Sequence, residues 1–226
     1  MTKRSHRNKY CRTMVHYKLS YLELRGLAEP ARQILAYAGE VFEDVRIERK
    51  DWPALKSKMP FGTVPVLHVD GKPLGQSHAI ARYLARQFGL AGQNAWEEAQ
   101  VNSIADLVKD YQLEIRPFFL VKAGFGDGDV EKLYREGFVP AFKKHYTFLT
   151  NALKANGSGF LVGDSLTWVD LVVAQQTSDV LATKNSLLGG RAELLDEFPE
   201  LKEHQKKIHS IPRIAKWLQI RPVTPF

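Results

Sequence analysis

The stretch PFGTVPVLHVDGKPLGQSHAIARYL, Pro60 to Leu84, decides the fold. Val64 to Val69 is rich in β-formers, Asp70-Gly71 is a hairpin dipeptide, and Lys72 to Leu74 predicts a short returning strand, because Asp-Gly accepts the left-handed backbone of a tight turn. The period then changes from two to 3.6. Ile80, Leu84 and Phe88 fall on one stripe, so Ser77 to Phe88 predicts an amphipathic helix with Ser77 as its N-cap. Working backward, Val15, Tyr17, Leu19 and Tyr21 share one face of a predicted strand. Arg25-Gly26 turns the chain into a helix from Leu27 to Ala38, with Pro30 in its first turn and Gly39 as its stop. Val41 to Ile47 follows as a second strand, giving a parallel β-α-β opening. Working forward, Gly89 to Asn94 predicts a linker. Beyond it, strand signals give way to helical spacing (Val101, Ile104, Leu107 and Val108) that continues to Trp217. The expected class is α/β plus all-α: a small mixed-sheet domain over 14–92 and a helical domain over 96–226.

The composition is that of a globular chain: 44% hydrophobic and 25% charged over 226 residues. No apolar run approaches the roughly 20 residues of a membrane span. The N-terminal MTKRSHRNKYCRT has no apolar stretch, so no secretory signal is read there. The single cysteine, Cys11, permits no internal disulfide and suits a reducing cytoplasm. The net charge of +7 is concentrated: Lys3, Arg4, Arg7, Lys9 and Arg12 supply +5 within the first thirteen residues, which contain no acid. Residues 1–13 are therefore expected to form a basic, disordered extension, and the near-neutral remainder gives no reason to expect nucleic-acid binding. The seven histidines show no HExxH or other tight ligand spacing, so no metal site is predicted.

Five motifs occur in order: Tyr-x3-Arg-Gly (Tyr21 to Gly26), Asp-Trp-Pro (Asp51 to Pro53), Pro-Phe-Gly-x2-Pro-Val-Leu (Pro60 to Leu67), Gln-Ser-x2-Ile-Ala-Arg-Tyr-Leu (Gln76 to Leu84) and Gly-Asp-Ser (Gly163 to Ser165). Together they resemble a sigma-class glutathione transferase over everything after Met14. The resemblance implies a thioredoxin-like βαβ-α-ββα domain followed by a helical bundle, glutathione as co-substrate, and a cytoplasmic homodimer.

It also implies a site. Tyr21 would be catalytic. Only a few per cent of a thiol with a pKa of about 8.5 is ionised at neutral pH, and a phenol donating a hydrogen bond to sulfur favours the anion. Lowering that pKa by about two units requires about 2.7 kcal/mol of differential stabilisation, within reach of one charge-assisted hydrogen bond plus local dipoles. Read alone, Tyr21 is equally a strand-end aromatic, and Ser20 resembles the nucleophile-activating residue of serine-type classes. Val64, before an expected cis Pro65, would offer its backbone N–H and C=O to the cysteinyl unit, beside Gly62 and Thr63. Gln76 and Ser77, at a helix N-terminus, would take the γ-glutamyl carboxylate. Trp52 and Lys56 would hold the glycyl end, and Asp110 of the neighbouring subunit the α-amino group. Leu22, Leu27 and Tyr111 are candidates for the acceptor wall. Thr167 to Asp170 is a capping box and is read as structural. His78, near the expected site, and Cys11, in the basic extension, are read as bystanders.

The match departs in two places. Leu27 stands where vertebrate prostaglandin-isomerising members carry an arginine, and Lys109 where they carry an acidic residue for a divalent metal. The leading expectation is conjugation of glutathione to apolar electrophiles, as in detoxification. The alternatives are a glutathione-dependent isomerase of prostaglandin D synthase type, a carrier of haem or other apolar ligands with low turnover, and a crystallin-like structural protein.

Overall fold

In the computed structural model the chain is described over residues 15–182, 188 and 190–224; the expected basic extension 1–13 and Cys11 lie outside the described residues. The first half runs β1 (Tyr17–Leu22), a 3-10 turn (Gly26–Ala28), α1 (Glu29–Ala38), β2 (Phe42–Ile47), α2 (Trp52–Lys56), β3 (Val66–Val69), β4 (Lys72–Gly75) and α3 (Ser77–Phe88). The strand order is β2-β1-β3-β4, with β1 parallel to β2 and β3 antiparallel to both β1 and β4. This is the thioredoxin-like arrangement. β1 is central, so Tyr17, Leu19 and Tyr21 on one face and Ser20 on the other are all buried. The hairpin turns at Asp70 (φ 49) and Gly71 (φ 81), both left-handed as its dipeptide requires.

The second half is helical: α4 (Ala95–Lys122), α5 (Val130–Lys132) continuing into a π turn (Leu133–Phe138), α6 (Val139–Asn156), α7 (Trp168–Leu181), a 3-10 turn (Ala192–Leu195), α8 (Pro199–His209) and α9 (Pro212–Ile220). Asn94 caps α4, its Oδ1 accepting from the Trp96 and Glu97 amides at 3.0 Å each. α7 is buried on nearly every side and forms the axis of this half. The capping box expected at its start is present, and Asp170 does more than close it. Oδ2 accepts from the Thr167 amide (2.9 Å) and hydroxyl (2.7 Å), while Oδ1 accepts from the Leu161 amide (2.8 Å) and lies 2.9 Å from His204 Nε2. A ladder of rings (Phe118, Tyr134, Phe138, Phe142, Tyr146 and Phe198) fills the space between α4, α6 and α8.

Four local expectations change. β1 begins at Tyr17 and β3 at Val66, each two residues later than the sequence patterns suggested. The turn at 26–28 winds as 3-10 before α1 begins at Glu29. Ser77 is the first helical residue of α3, and Gln76 is its cap, at φ 73. α2 is the middle helix of the βαβ-α-ββα order that the resemblance implied; at five residues it is too short to show a period of its own. The 89–94 linker packs on the second half: Leu90 is buried and its carbonyl accepts the Trp168 amide at 2.9 Å.

Candidate active site

Tyr21 lies at the end of β1, just past the point where pairing with β3 stops at Ser20↔Val66 and opposite Arg46 on β2. Its ring is buried, and its hydroxyl oxygen accepts the Leu27 amide at 3.2 Å. That bond fills an acceptor position of the phenol and leaves its proton to donate outward. Burial raises the Tyr21 pKa; the Leu27 amide and the Arg32 guanidinium, 6.0 Å from the ring centroid, pull against it. The group is a phenol at neutral pH, the form that stabilises an anion by donation.

Gly26 makes this geometry possible. It adopts φ 39, and a Cβ there would stand 2.8 Å from the Tyr21 hydroxyl. Only hydrogen fits between the turn and the phenol.

The remaining candidates gather on the loops beside this strand end. The Val64–Pro65 peptide is cis. The Gly62 amide donates to the Met59 carbonyl (3.0 Å), and a Cβ on Gly62 would come within 3.9 Å of the Lys56 side chain, so Gly62 and Lys56 are neighbours. Trp52 is half-buried and Lys56 exposed at opposite ends of α2. Phe61 lies over Gly75, close enough that a Cβ there would meet its ring at 2.9 Å; this holds the 60–64 loop against the start of α3. Gln76 and Ser77 are accessible there, and the first intrahelical bond runs from the Ile80 amide to the Gln76 carbonyl, leaving the amides of 77–79 without helical acceptors.

α4 faces α3. Arg82 binds Asn102 Oδ1 (2.8 Å) and pairs with Asp106, and Arg86 pairs with Glu98. Asp110, one turn beyond Asp106, is exposed. His78 stands edge-on to Trp168 at 5.5 Å. Its pKa is pushed down to about 4, mainly by burial, then by Arg82 and Lys109 against the opposing pull of Asp106. It is a neutral buttress at physiological pH. Of the acceptor-wall candidates, Leu27 is exposed beside the Tyr21 hydroxyl and Leu22 is half-buried. Tyr111 is inside the helical bundle, its ring stacked on His145 at 4.2 Å, because its position on α4 belongs to the buried stripe with Val108 and Ile115. Among the described residues no group of three or more His, Cys, Asp or Glu side chains converges on a common point.

Sequence reasoning missed a buried polar network behind the Tyr21 turn. Arg32, fully buried, donates to Asp44 (2.9 Å) and to the carbonyls of Leu24 (2.8 Å) and Arg25 (3.2 Å). Glu29, also fully buried, accepts from Trp217 Nε1 (2.8 Å) and Arg221 (2.7 Å) on and just past α9. Gln33 donates to Gln175 (2.9 Å), which donates to Asp179 (2.9 Å) on α7. Arg25 donates twice to Asp179 (3.2 and 3.0 Å) and once to the Thr224 carbonyl (2.5 Å). Sequence carried no clear signal: Glu29, Arg32 and Gln33, at i, i+3 and i+4, lie on the face opposite Ala31, Ile34 and Leu35 and read as a solvated polar stripe, whereas α1 is buried on both faces and the charges there need partners. Between the two halves, the Arg49 guanidinium lies 4.0 Å from the Phe125 ring in the turn after α4.

Comparison with known proteins agrees with this architecture. Residues 17–86 match the family model of the glutathione S-transferase N-terminal domain, and residues 125–221 that of the C-terminal domain. A Caenorhabditis elegans protein named probable glutathione S-transferase 7 is 62% identical, over 94% of this chain and all of its own. A solved C. elegans glutathione S-transferase is 58% identical with a TM-score of 0.87, over 94% of this chain and all of that one. A nu-class enzyme from Haemonchus contortus (49% identical, TM-score 0.83, 94% and 100% covered) and a hookworm enzyme from Necator americanus described as monomeric (49%, 0.86, 93% and 100%) are similarly placed. This chain belongs to the glutathione S-transferase family and is an enzyme of that family, with glutathione as its co-substrate.

Proposed function

We propose that the enzyme activates glutathione through Tyr21 and transfers the thiolate to apolar electrophiles. The observation that carries this is the Tyr21 hydroxyl: protonated, occupied on its acceptor side by the Leu27 amide, and set at the cleft end of β1 beside the cis-proline loop. The thiol gives its proton to solvent, the phenol donates to the resulting thiolate, and the sulfur attacks an electrophilic carbon as the leaving group departs. Val64 is assigned to the cysteinyl backbone, Gly62 and Thr63 to the turn that presents it, and Pro65 to the bend. Gln76 and Ser77 are assigned to the γ-glutamyl carboxylate, Trp52 and Lys56 to the glycyl carboxylate. Leu22 and Leu27 form the acceptor wall. The family resemblance further supports a cytoplasmic homodimer in which Asp110 serves the neighbour's glutathione. The motif order is of sigma type; the likeness to the H. contortus enzyme makes nu the competing class.

Conjugation of glutathione to a chloronitrobenzene, comparing the intact chain with Tyr21→Phe, tests the reading. Loss of one hydrogen bond to an anion predicts a fall in kcat/KM of about 10- to 100-fold with little change in KM for glutathione. Equal activity of the two proteins would overturn it. Binding of glutathione by the intact chain without turnover would favour a carrier role.

A further inference from the structure

The Tyr21 hydroxyl receives its bond from the amide of Leu27, so its geometry is only as fixed as the 23–27 turn. Little in the turn's own sequence fixes it, since Gly26 is the most permissive residue available. The constraint comes from outside. On the near side, Arg32 clamps the carbonyls of Leu24 and Arg25. On the far side, the Arg25 side chain is held by Asp179, which lies 154 residues away on α7. Asp179 Oδ1 accepts from both Arg25 nitrogens and from Gln175, and Gln175 in turn ties to Gln33 and Arg221.

We infer that Asp179, through Arg25, is a positioning residue for Tyr21, so that the helical half of the enzyme sets the thiol-activating hydrogen bond of the sheet half. This rests on the reading of Tyr21 as the thiol-activating group. Asp179 is not among the groups assigned to glutathione or the reacting atoms; its effect runs through the turn backbone. Loss of its charge lets Arg25 leave the interface, the turn samples other conformations that Gly26 permits, and the phenol is less often presented to sulfur. The consequence is a higher pKa for bound thiol rather than a loss of glutathione affinity.

The test compares the full chain with Asp179→Asn, Arg25→Gln, the double variant, Tyr21→Phe and Arg213→Ala. Arg213 makes a different contact between the halves, its Nη1 donating to the Tyr37 carbonyl at 2.9 Å, away from the turn. Thiolate absorbance of the glutathione complex and the pH dependence of kcat/KM are recorded for each. The expected result is a rise of about half to one unit in bound-thiol pKa for Asp179→Asn and Arg25→Gln, equivalent to about a three- to tenfold loss of kcat/KM on the acid limb that closes at high pH. The double variant should lose no more than either single one, because both break the same link. Arg213→Ala should keep the parent profile. A pH-independent loss, additive singles, or an equal shift in Arg213→Ala would overturn the inference, leaving only a general interface effect. If Asp179→Asn does not fold, Arg25→Gln decides alone. An unchanged thiol pKa in Tyr21→Phe would instead sink the tyrosine reading itself, whatever the Asp179 variant does.

Discussion

The two ends of the candidate site are built in opposite ways. At the proposed thiol end the Tyr21 turn is held by buried charges: Arg32 and Glu29 are fully buried and bond the turn carbonyls and side chains on and just past α9. At the carboxylate end Lys56, Gln76 and Asp110 are exposed, and the first amides of α3 have no helical acceptor. The first arrangement fixes a donor before any ligand arrives, which is where preorganisation contributes most to catalysis. The second leaves polar groups in water, to be satisfied by a ligand or by another chain. On the proposed assignment, one end serves chemistry and the other recognition.

The sharpest way to break that contrast is Gly26→Ala. A Cβ at 2.8 Å from the phenol oxygen, on a backbone at φ 39, must shift either the turn or the ring. The expected outcome is a loss of about 10- to 100-fold in kcat/KM, since displacements near 1 Å at a reacting group cost that much, while glutathione affinity changes little. Steady-state kinetics with equilibrium dialysis of glutathione checks it; parent activity would show that the turn is not locked.

Acid separates stability from thiol chemistry. His145 is buried and its pKa is lowered to about 4, mainly by burial and also by Lys144, against a raising contact with Gln176. Its folded pKa lies below the ordinary 6.5, so the unfolded chain binds the proton more readily. The stabilising contribution is therefore complete above about pH 6.5 and is lost as pH falls toward 4, with a slope of up to about 1.4 kcal/mol per pH unit. His78 and His209 shift in the same direction. Urea midpoints should fall between pH 7 and pH 5, and His145→Phe should flatten that slope in part while leaving the pH–rate profile in place. A slope unchanged by the substitution would remove His145 from the account.

The smallest effect expected is at the open end. Asp110→Ala should raise KM for glutathione about three- to tenfold, the worth of one partly exposed charged hydrogen bond, with kcat retained. If Asp110 serves the neighbour, mixing Asp110→Ala chains with weakly active Tyr21→Phe chains should restore a site of parental KM, because one of the two shared sites regains both groups. Failure of mixing to restore it in a demonstrated dimer would return Asp110 to its own subunit.

Much of this was legible in sequence because it is local. Alternation along β1, the Asp70-Gly71 hairpin, the stripe of α3 and the Thr167–Asp170 box each depend on residues within a few positions of one another, and each is present. The motif order pointed to Tyr21, Val64-Pro65 and the start of α3, which the fold brings to one end of the sheet. Short or displaced features were not legible in the periodicity: α2, implied only by the family resemblance, is too brief for a period, and the cap of α3 is Gln76, at positive φ, rather than Ser77.

By itself, then, the sequence determined the order of elements, the mixed-sheet half followed by helices, and the family to which the chain belongs, since periodicity and motif spacing are properties of neighbours along the chain. Only the tertiary structure decided what stands behind the tyrosine. Asp179 meets Arg25, Trp217 and Arg221 meet Glu29, and Asp44 meets Arg32 across separations of 12 to 192 residues. Tyr111, by contrast, turns inward with Val108 and Ile115, a stripe that helical spacing does record. A buried charge must find its partner wherever the fold brings one, and no local pattern records which partner that will be.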